Sequence, residues 1–107
     1  GNMNNIIKYY RAIANPVRLK VFLHVAKESE GFAPNEPKKE SCVTEISKAL
    51  KIPQPTVSNH LAVLKKVGLV KSISVGTHCY QYVNKRSAKE LLSHTQYIFT
   101  QAHKNPY

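Results

Sequence analysis

The sequence predicts a mainly α-helical domain that carries one small β-hairpin. Apolar residues recur at helical spacing in five segments, and two β-favouring runs flank a Gly-Thr pair. A chain of 107 residues also suits one compact domain and leaves little room for a second. We therefore expect residues 3–107 to form a single domain, and we interpret Gly1 and Asn2, which precede Met3, as a cloning remnant.

Two helices are predicted before residue 29. The first follows from apolar residues at helical spacing, namely Ile6, Ile7, Tyr10, Ile13 and Ala14. A second helix is predicted from Pro16 to about Glu28, because Asn15 is a good N-cap and proline suits the first helical position. Apolar residues surround nearly its whole circumference, which predicts a central, buried helix; they are Val17, Leu19, Val21, Phe22, Leu23, Val25 and Ala26.

A loop and two further helices are predicted next. Residues 29–40 are rich in glycine, proline and charge, which predicts a flexible loop, and a short strand is expected at 41–43. Thr44 is expected to cap a third helix whose apolar face carries Ile46, Ala49 and Leu50. Pro55 suits the start of a fourth helix, and Gly68 is expected to end it. The buried stripe of this fourth helix is Val57, Leu61 and Leu64.

A hairpin and a fifth helix are predicted to complete the domain. The β-favouring runs at 69–75 and 78–83 are joined by Gly76 and Thr77, a pair that fits a type II′ turn. A capping box at 87–90 is expected to open the last helix. Its apolar face is broad and comprises Ala88, Leu91, Leu92, Thr95, Ile98, Phe99 and Ala102.

Charge indicates the class of partner. The formal net charge is +10, and residues 44–86 hold seven basic residues against Glu45 alone. Such a balance favours a polyanion, either nucleic acid or an anionic membrane surface. We expect no membrane partner, because no apolar run approaches the roughly 20 residues of a bilayer span. Two cysteines and the absence of a signal-peptide pattern favour a reducing, cytoplasmic location.

The order helix, tight turn, helix and hairpin is that of a winged helix-turn-helix. The fourth helix leaves short polar side chains near its N-terminal end, which suit base edges and phosphates; they are Gln54, Thr56, Ser58 and Asn59. Lys65, Lys66 and Lys71 are placed to contact the flanking phosphates. The alternative is a solvated polar face on an ordinary helix, but the basic hairpin that follows favours DNA.

Three stretches carry a resemblance to a known family. Residues 14–22 (ANPVRLKVF) are similar to the second helix of arsenic-repressor (ArsR) type regulators. Residues 54–64 (QPTVSNHLAVL) resemble their recognition helix and residues 68–70 the start of their wing, so the likeness covers roughly 5–85. By this resemblance the DNA-contact positions of the recognition helix are Gln54, Thr56, Ser58, Asn59 and His60.

The resemblance also implies how the protein works. It implies a sequence-specific DNA-binding transcriptional regulator, a repressor that binds a palindromic operator as a homodimer, and no enzyme. The first and last helices would form the dimer, which places in the interface Ile6, Tyr10, Ile13, Leu91, Leu92, Ile98 and Phe99. The family's wing usually carries arginines near its tip, whereas here Thr77 and His78 are the polar residues available for contact.

Metal sensing, which many relatives perform, is not expected here. The metalloid sensors carry a Cys-Val-Cys core, but Thr44 replaces the second thiol after Cys42, and a soft ion needs two or three thiolates. On the last helix His94 and His103 are nine residues apart, too far to chelate one ion within that helix. We therefore expect no metal and no cofactor, with a cross-subunit site that also includes Glu90 as the alternative.

Two further possibilities remain open at this stage. Cys42 and Cys79 can lie on neighbouring strands, so a reversible disulfide is conceivable, although free structural thiols are the default. Winged helices are also reused as protein-docking modules, which is the second function class. An enzyme is the third class, and it is disfavoured because no phosphate loop or acid-base constellation is present.

Overall fold

The predicted fold class is confirmed by a computed structural model, which describes residues 3–30 and 37–107. In these residues a short 3₁₀ turn (Lys39–Ser41) accompanies five helices and one antiparallel hairpin: α1 (Met3–Ile13), α2 (Pro16–Glu28), α3 (Val43–Leu50), α4 (Gln54–Lys66), β1 (Val70–Val75), β2 (His78–Val83) and α5 (Lys85–His103). Much of the predicted loop, residues 31–36, lies outside the described residues. Within the described part of the chain, no helix is both long and apolar enough to span a bilayer.

Helix α4 lies at the centre of the core. The predicted stripe of Val57, Leu61 and Leu64 is confirmed, since these side chains are at most 1% exposed. They pack with Val21 and Val25 of α2, both fully buried. Burying one face of α4 in this way leaves its opposite face available for another molecule.

Helix α2 has the predicted bounds but is not buried on all sides. Asn15 caps it as expected, accepting a hydrogen bond from the backbone N–H of Arg18 at 2.9 Å. However, Leu19 and Leu23 are 47% and 52% exposed, and Val17 is exposed as well. The predicted central position is correct, since α2 packs against α1, α3, α4 and β2. The predicted burial around the whole helix was wrong, because these neighbours leave the side that carries Leu19 and Leu23 uncovered.

The segment before α3 differs from the expected strand. Residues 39–41 form a 3₁₀ turn, and only Cys42 pairs with the hairpin, through a single antiparallel bridge to Tyr80. Helix α3 begins at Val43, with Cys42 at the capping position, so Thr44 is not the cap. The turn forms because the hydroxyl of Ser41 and the N–H of Cys42 both donate locally, to the carbonyls of Lys38 and Lys39.

Helix α5 begins two residues earlier than the predicted capping box. Its N-cap is Asn84, whose side chain accepts from the N–H of Arg86 at 3.2 Å. Ser87, the expected cap, is only 5% exposed and accepts a hydrogen bond from the hydroxyl of Tyr9 in α1. A tertiary contact therefore uses the serine, and the preceding asparagine caps the helix instead.

Two glycines shape the connection from α4 to the wing. Gly68 ends α4 with φ of +87°, and the N–H of Leu69 donates to the carbonyl of Leu64 at 3.0 Å. Gly76 has φ of +61° in a two-residue turn, as the type II′ prediction requires of its first position. Asn84 fixes residues 67–69, the α4–β1 junction, by donating from its side chain to the Gly68 carbonyl and from its backbone to the Leu69 carbonyl, both at 2.9 Å.

Candidate nucleic-acid interface

The N-terminal end of α4 presents polar side chains to solvent. Gln54, Ser58 and Asn59 are exposed and Thr56 is half-buried, while Val57 between them is buried. The N-cap position is Pro53, which makes no side-chain capping hydrogen bond. The N–H groups of Gln54 and Thr56 thus remain available, whereas Pro55 has none, and the end of the helix dipole that favours anions coincides with the polar face.

His60 is anchored to α2 rather than free on the helix surface. It is half-buried, and its Nδ1 lies 3.4 Å from Nη1 of Arg18. The Nε of the same guanidinium donates to the carbonyl of Ala12 near the end of α1. Because an arginine can only donate, the His60 Nδ1 is the acceptor in this contact. Arg18 thus connects α1, α2 and α4 beside the polar face.

Replacing Arg18 is expected to destabilise the domain. Arg18→Ala removes charge-assisted hydrogen bonds to Ala12 and His60, and we expect the free energy of unfolding to fall by about 1–3 kcal/mol in urea titrations. Lys20→Ala is the matched control, because it deletes the same charge from an exposed site on α2 and should cost less than about 0.5 kcal/mol. Equal losses from both variants would contradict this role for Arg18.

The predicted lysines lie apart from the polar end of α4. Lys65 and Lys66 are exposed in its last turn. They follow Asn59 by six and seven residues, which corresponds to about 10 Å along the helix axis. Lys71 lies near the base of the hairpin, paired with Tyr82. These side chains therefore flank the polar face instead of forming part of it.

The tip of the wing carries the last two predicted contact residues. Thr77 and His78 are both exposed. At the base of the wing, Lys71 lines a cavity of 290 Å³ together with Lys85 and Arg86. Sequence reasoning assigned no role to Lys85 and Arg86, although their adjacency in a basic segment is a signal that finds them.

The predicted dimer residues divide into two groups. On α5, Leu92, Ile98 and Phe99 are 59%, 41% and 67% exposed. Ile6 is only 4% exposed, because it belongs to the hydrophobic core of the single chain, and it has almost no surface left for a partner. The others are half-buried: Tyr10, Ile13 and Leu91. The hydroxyl of Tyr10 makes a 2.6 Å hydrogen bond to Thr95, which ties α1 to α5.

The cysteines are free and have different neighbours. Cys42 bridges to Tyr80, whereas the sulfur of Cys79 accepts from the side-chain amide of Gln81 at 3.4 Å. Because side chains alternate along a strand, Cys79 and Tyr80 point to opposite faces of β2, and this arrangement disfavours the disulfide considered above. Across residues 3–30 and 37–107, no three His, Cys, Asp or Glu side chains are grouped to hold a metal ion.

Comparisons with known proteins agree with this arrangement. Residues 36–72 match the model of the bacterial regulatory protein, arsR family. An uncharacterized HTH-type transcriptional regulator of Methanocaldococcus jannaschii is 34% identical over 83 residues, which cover 78% of this chain and 82% of that protein. The HTH-type transcriptional repressor SmtB of Mycobacterium tuberculosis is 42% identical over 60 residues, which cover 56% of this chain and 36% of SmtB.

Solved structures show the same fold. An ArsR-like transcriptional regulator from Rhodococcus sp. RHA1 superposes with a TM-score of 0.71 at 13% identity, over 95% of this chain and 86% of that one. The homodimeric winged helix-turn-helix DNA-binding domain Mb0332 of Mycobacterium bovis gives 0.64 at 19% identity, over 98% and 88%. HlyU from Vibrio cholerae gives 0.63 at 25% identity, over 91% and 96%.

Proposed function

This chain belongs to the arsR family of bacterial regulatory proteins, and we propose that it is a sequence-specific repressor that binds a palindromic operator as a homodimer. Its relatives are transcriptional regulators with a winged helix-turn-helix DNA-binding fold, not enzymes. The observation that carries the proposal is the exposed polar end of α4 above its buried stripe. In this fold such a helix end enters the major groove, where Ser58 and Asn59 would meet base edges.

Charge supports DNA as the partner. The excess of basic residues is concentrated in 44–86, the segment that contains α4 and the wing. Lys65 and Lys66, exposed at the far end of α4, suit phosphates that flank the bases. A protein-docking module is the weaker candidate, because the exposed side chains at the start of α4 are polar.

The exposed face of α5 supports the homodimer. Leu92, Ile98 and Phe99 are exposed apolar residues of α5 in the single chain, Phe99 at 67%. Such a row of unpartnered apolar side chains is typical of an interface. Mb0332 is described as homodimeric and SmtB as a repressor, which favours the same two properties here. A two-fold dimer would place the two recognition helices about one DNA turn apart, roughly 34 Å.

The direct test is the salt dependence of operator binding. We expect the logarithm of affinity to fall linearly with the logarithm of salt, with a slope of about 0.9 per phosphate contacted. Lys65→Ala should lower that slope by about 1 and weaken all sequences alike, measured by fluorescence anisotropy on promoter fragments. Lys27→Ala deletes the same charge at the end of α2 and should leave the slope unchanged. No duplex affinity at low salt would refute the proposal.

Base preference is expected to depend on Asn59. An asparagine amide can pair with the N6 and N7 atoms of adenine, so Asn59→Ala should lose about 1–3 kcal/mol of discrimination at one operator position. A selection from random duplexes, repeated with wild type and variant, measures this loss position by position. Gln101→Ala, at an exposed site on α5, is the control and should select the wild-type sequence. An unchanged preference in Asn59→Ala would remove Asn59 from base recognition.

A further inference from the structure

A thiol and an imidazole meet where α3 joins the wing. The sulfur of Cys42 lies 3.8 Å from Nδ1 of His78 and 3.5 Å from the hydroxyl of Thr44. Cys42 precedes α3 directly, and His78 begins β2. The contact therefore joins the first helix of the helix-turn-helix to the tip of the wing, which carries two of the predicted DNA-contact residues.

The hairpin register explains the contact. Cys42 bridges to Tyr80, so its side chain lies on the face of β2 that also carries His78, two residues earlier. The rings of His78 and Tyr80 lie 6.1 Å apart on that face. The Cys42–Tyr80 bridge thus brings Cys42 and His78 to the same face of β2, where their side chains meet.

The surroundings of the pair admit a small polar molecule. Cys42 is 7% exposed, yet it lines a cavity of 270 Å³ together with Lys39, Thr44, Glu45, His78 and Tyr80. Both a cation and an anion belong to this lining, Lys39 and Glu45. A nucleophile with a base in contact and an adjoining cavity is the usual arrangement of a reactive cysteine.

We propose that Cys42 is an oxidation site, with a small hydroperoxide as the oxidant and His78 as the general base. His78 accepts the thiol proton while the sulfur attacks one oxygen of the hydroperoxide. The O–O bond breaks, the sulfur retains a hydroxyl group as a sulfenic acid, and the leaving oxygen takes the proton back from His78 as water or an alcohol. The sulfur loses two electrons and the hydroperoxide gains two, and a thiol reductant reverses the change.

Oxidation at this point would alter DNA binding, a consequence that rests on the proposed function. The added oxygen would stand on the sulfur that contacts His78 at 3.8 Å, so this contact must rearrange even though a cavity adjoins the thiol. An atom added at a packed contact displaces its neighbours, here His78 and the end of the wing that carries it. The wing would move relative to α3 and α4, so the tip and the recognition helix could no longer reach their grooves together.

The chemical part is tested on the full-length reduced protein without DNA. Hydrogen peroxide is added with dimedone to trap sulfenic acid, and peptide mapping by mass spectrometry follows each cysteine over time. Accessibility alone predicts that Cys79, the more exposed thiol, reacts first. We expect Cys42 to react faster, and His78→Gln to slow Cys42 about tenfold, because a free thiol near neutral pH is already a few per cent ionised. His103→Gln is the matched control and should change neither rate.

The regulatory part is tested by operator binding of the same samples. Peroxide should lower wild-type affinity about tenfold, dithiothreitol should restore it, and Cys42→Ser should not respond while Cys79→Ser responds like wild type. Faster labelling of Cys79, or an unchanged Cys42 rate in His78→Gln, would overturn the proposal that His78 activates Cys42. Oxidation of Cys42 without loss of affinity would overturn its regulatory role. Absence of operator binding by the reduced wild type would count against the proposed function, and the labelling rates would still decide the chemistry.

Discussion

Phe99→Glu is expected to split the dimer into monomers and to remove specific operator binding at the same time. Phe99 is 67% exposed in the single chain, and Leu92 lies on the same side of α5, seven residues earlier. Two-fold symmetry would bring two glutamates into one apolar interface, where burying unpaired charge is costly. A monomer contacts one half-site only, so operator affinity should fall by about 100-fold or more.

A matched substitution separates the interface from a general effect of charge. Gln101→Glu adds the same charge two residues further along α5, about half a turn around the helix from Phe99. It should leave both the dimer and the operator affinity intact. Light scattering at micromolar concentration and anisotropy on the operator measure the two properties. A wild-type monomer, or a Phe99→Glu dimer that still binds, would contradict the proposed interface.

The largest expected loss of stability follows truncation of the α4 stripe. Leu64 is fully buried among the core side chains, so Leu64→Ala should lower the free energy of unfolding by about 2–5 kcal/mol. Val63→Ala, at the neighbouring position, removes a side chain that is 38% exposed and should cost about 0.5 kcal/mol.

Urea titrations at one fixed protein concentration give this comparison, because a dimer gains stability as its concentration rises. If the two substitutions cost the same, the core is not centred on α4 as described. If Leu64→Ala also lowers operator affinity in the absence of urea, the recognition helix depends on that core for its position.

Local periodicity predicted some elements well. The prediction of the α4 stripe was correct because three apolar residues at i, i+4 and i+7 define a single face, and the rest of that helix is polar apart from Pro55, Ala62 and Val63. The prediction that Gly68 ends α4 was correct because few residues other than glycine adopt its φ of +87° easily. In both cases the physical requirement is satisfied within one or two turns of chain.

Contacts between residues far apart in sequence explain what the sequence analysis predicted wrongly or did not find. Ser87 had the pattern of an N-cap, but its contact with Tyr9 joins residues 78 apart in sequence. The contacts of Arg18 with His60 and of Cys42 with His78 likewise span 42 and 36 residues. No local pattern encodes such pairs, so these two parts of the site emerged only from the fold.

In the proposed homodimer, the α4–β1 junction would set the spacing of the operator half-sites. Asn84 holds residues 67–69 through two hydrogen bonds, and α5 begins at the next residue, so recognition helix, wing and α5 are rigidly connected. A dimer built on α5 would therefore hold its two recognition helices at a fixed distance from each other. One base pair inserted between the half-sites shifts one of them by about 3.4 Å and turns it by about 35° around the duplex. The DNA, rather than the protein, would then have to twist to restore helical phase, so the length of the central spacer would be recognised through the elastic energy of the DNA between the two contacted half-sites.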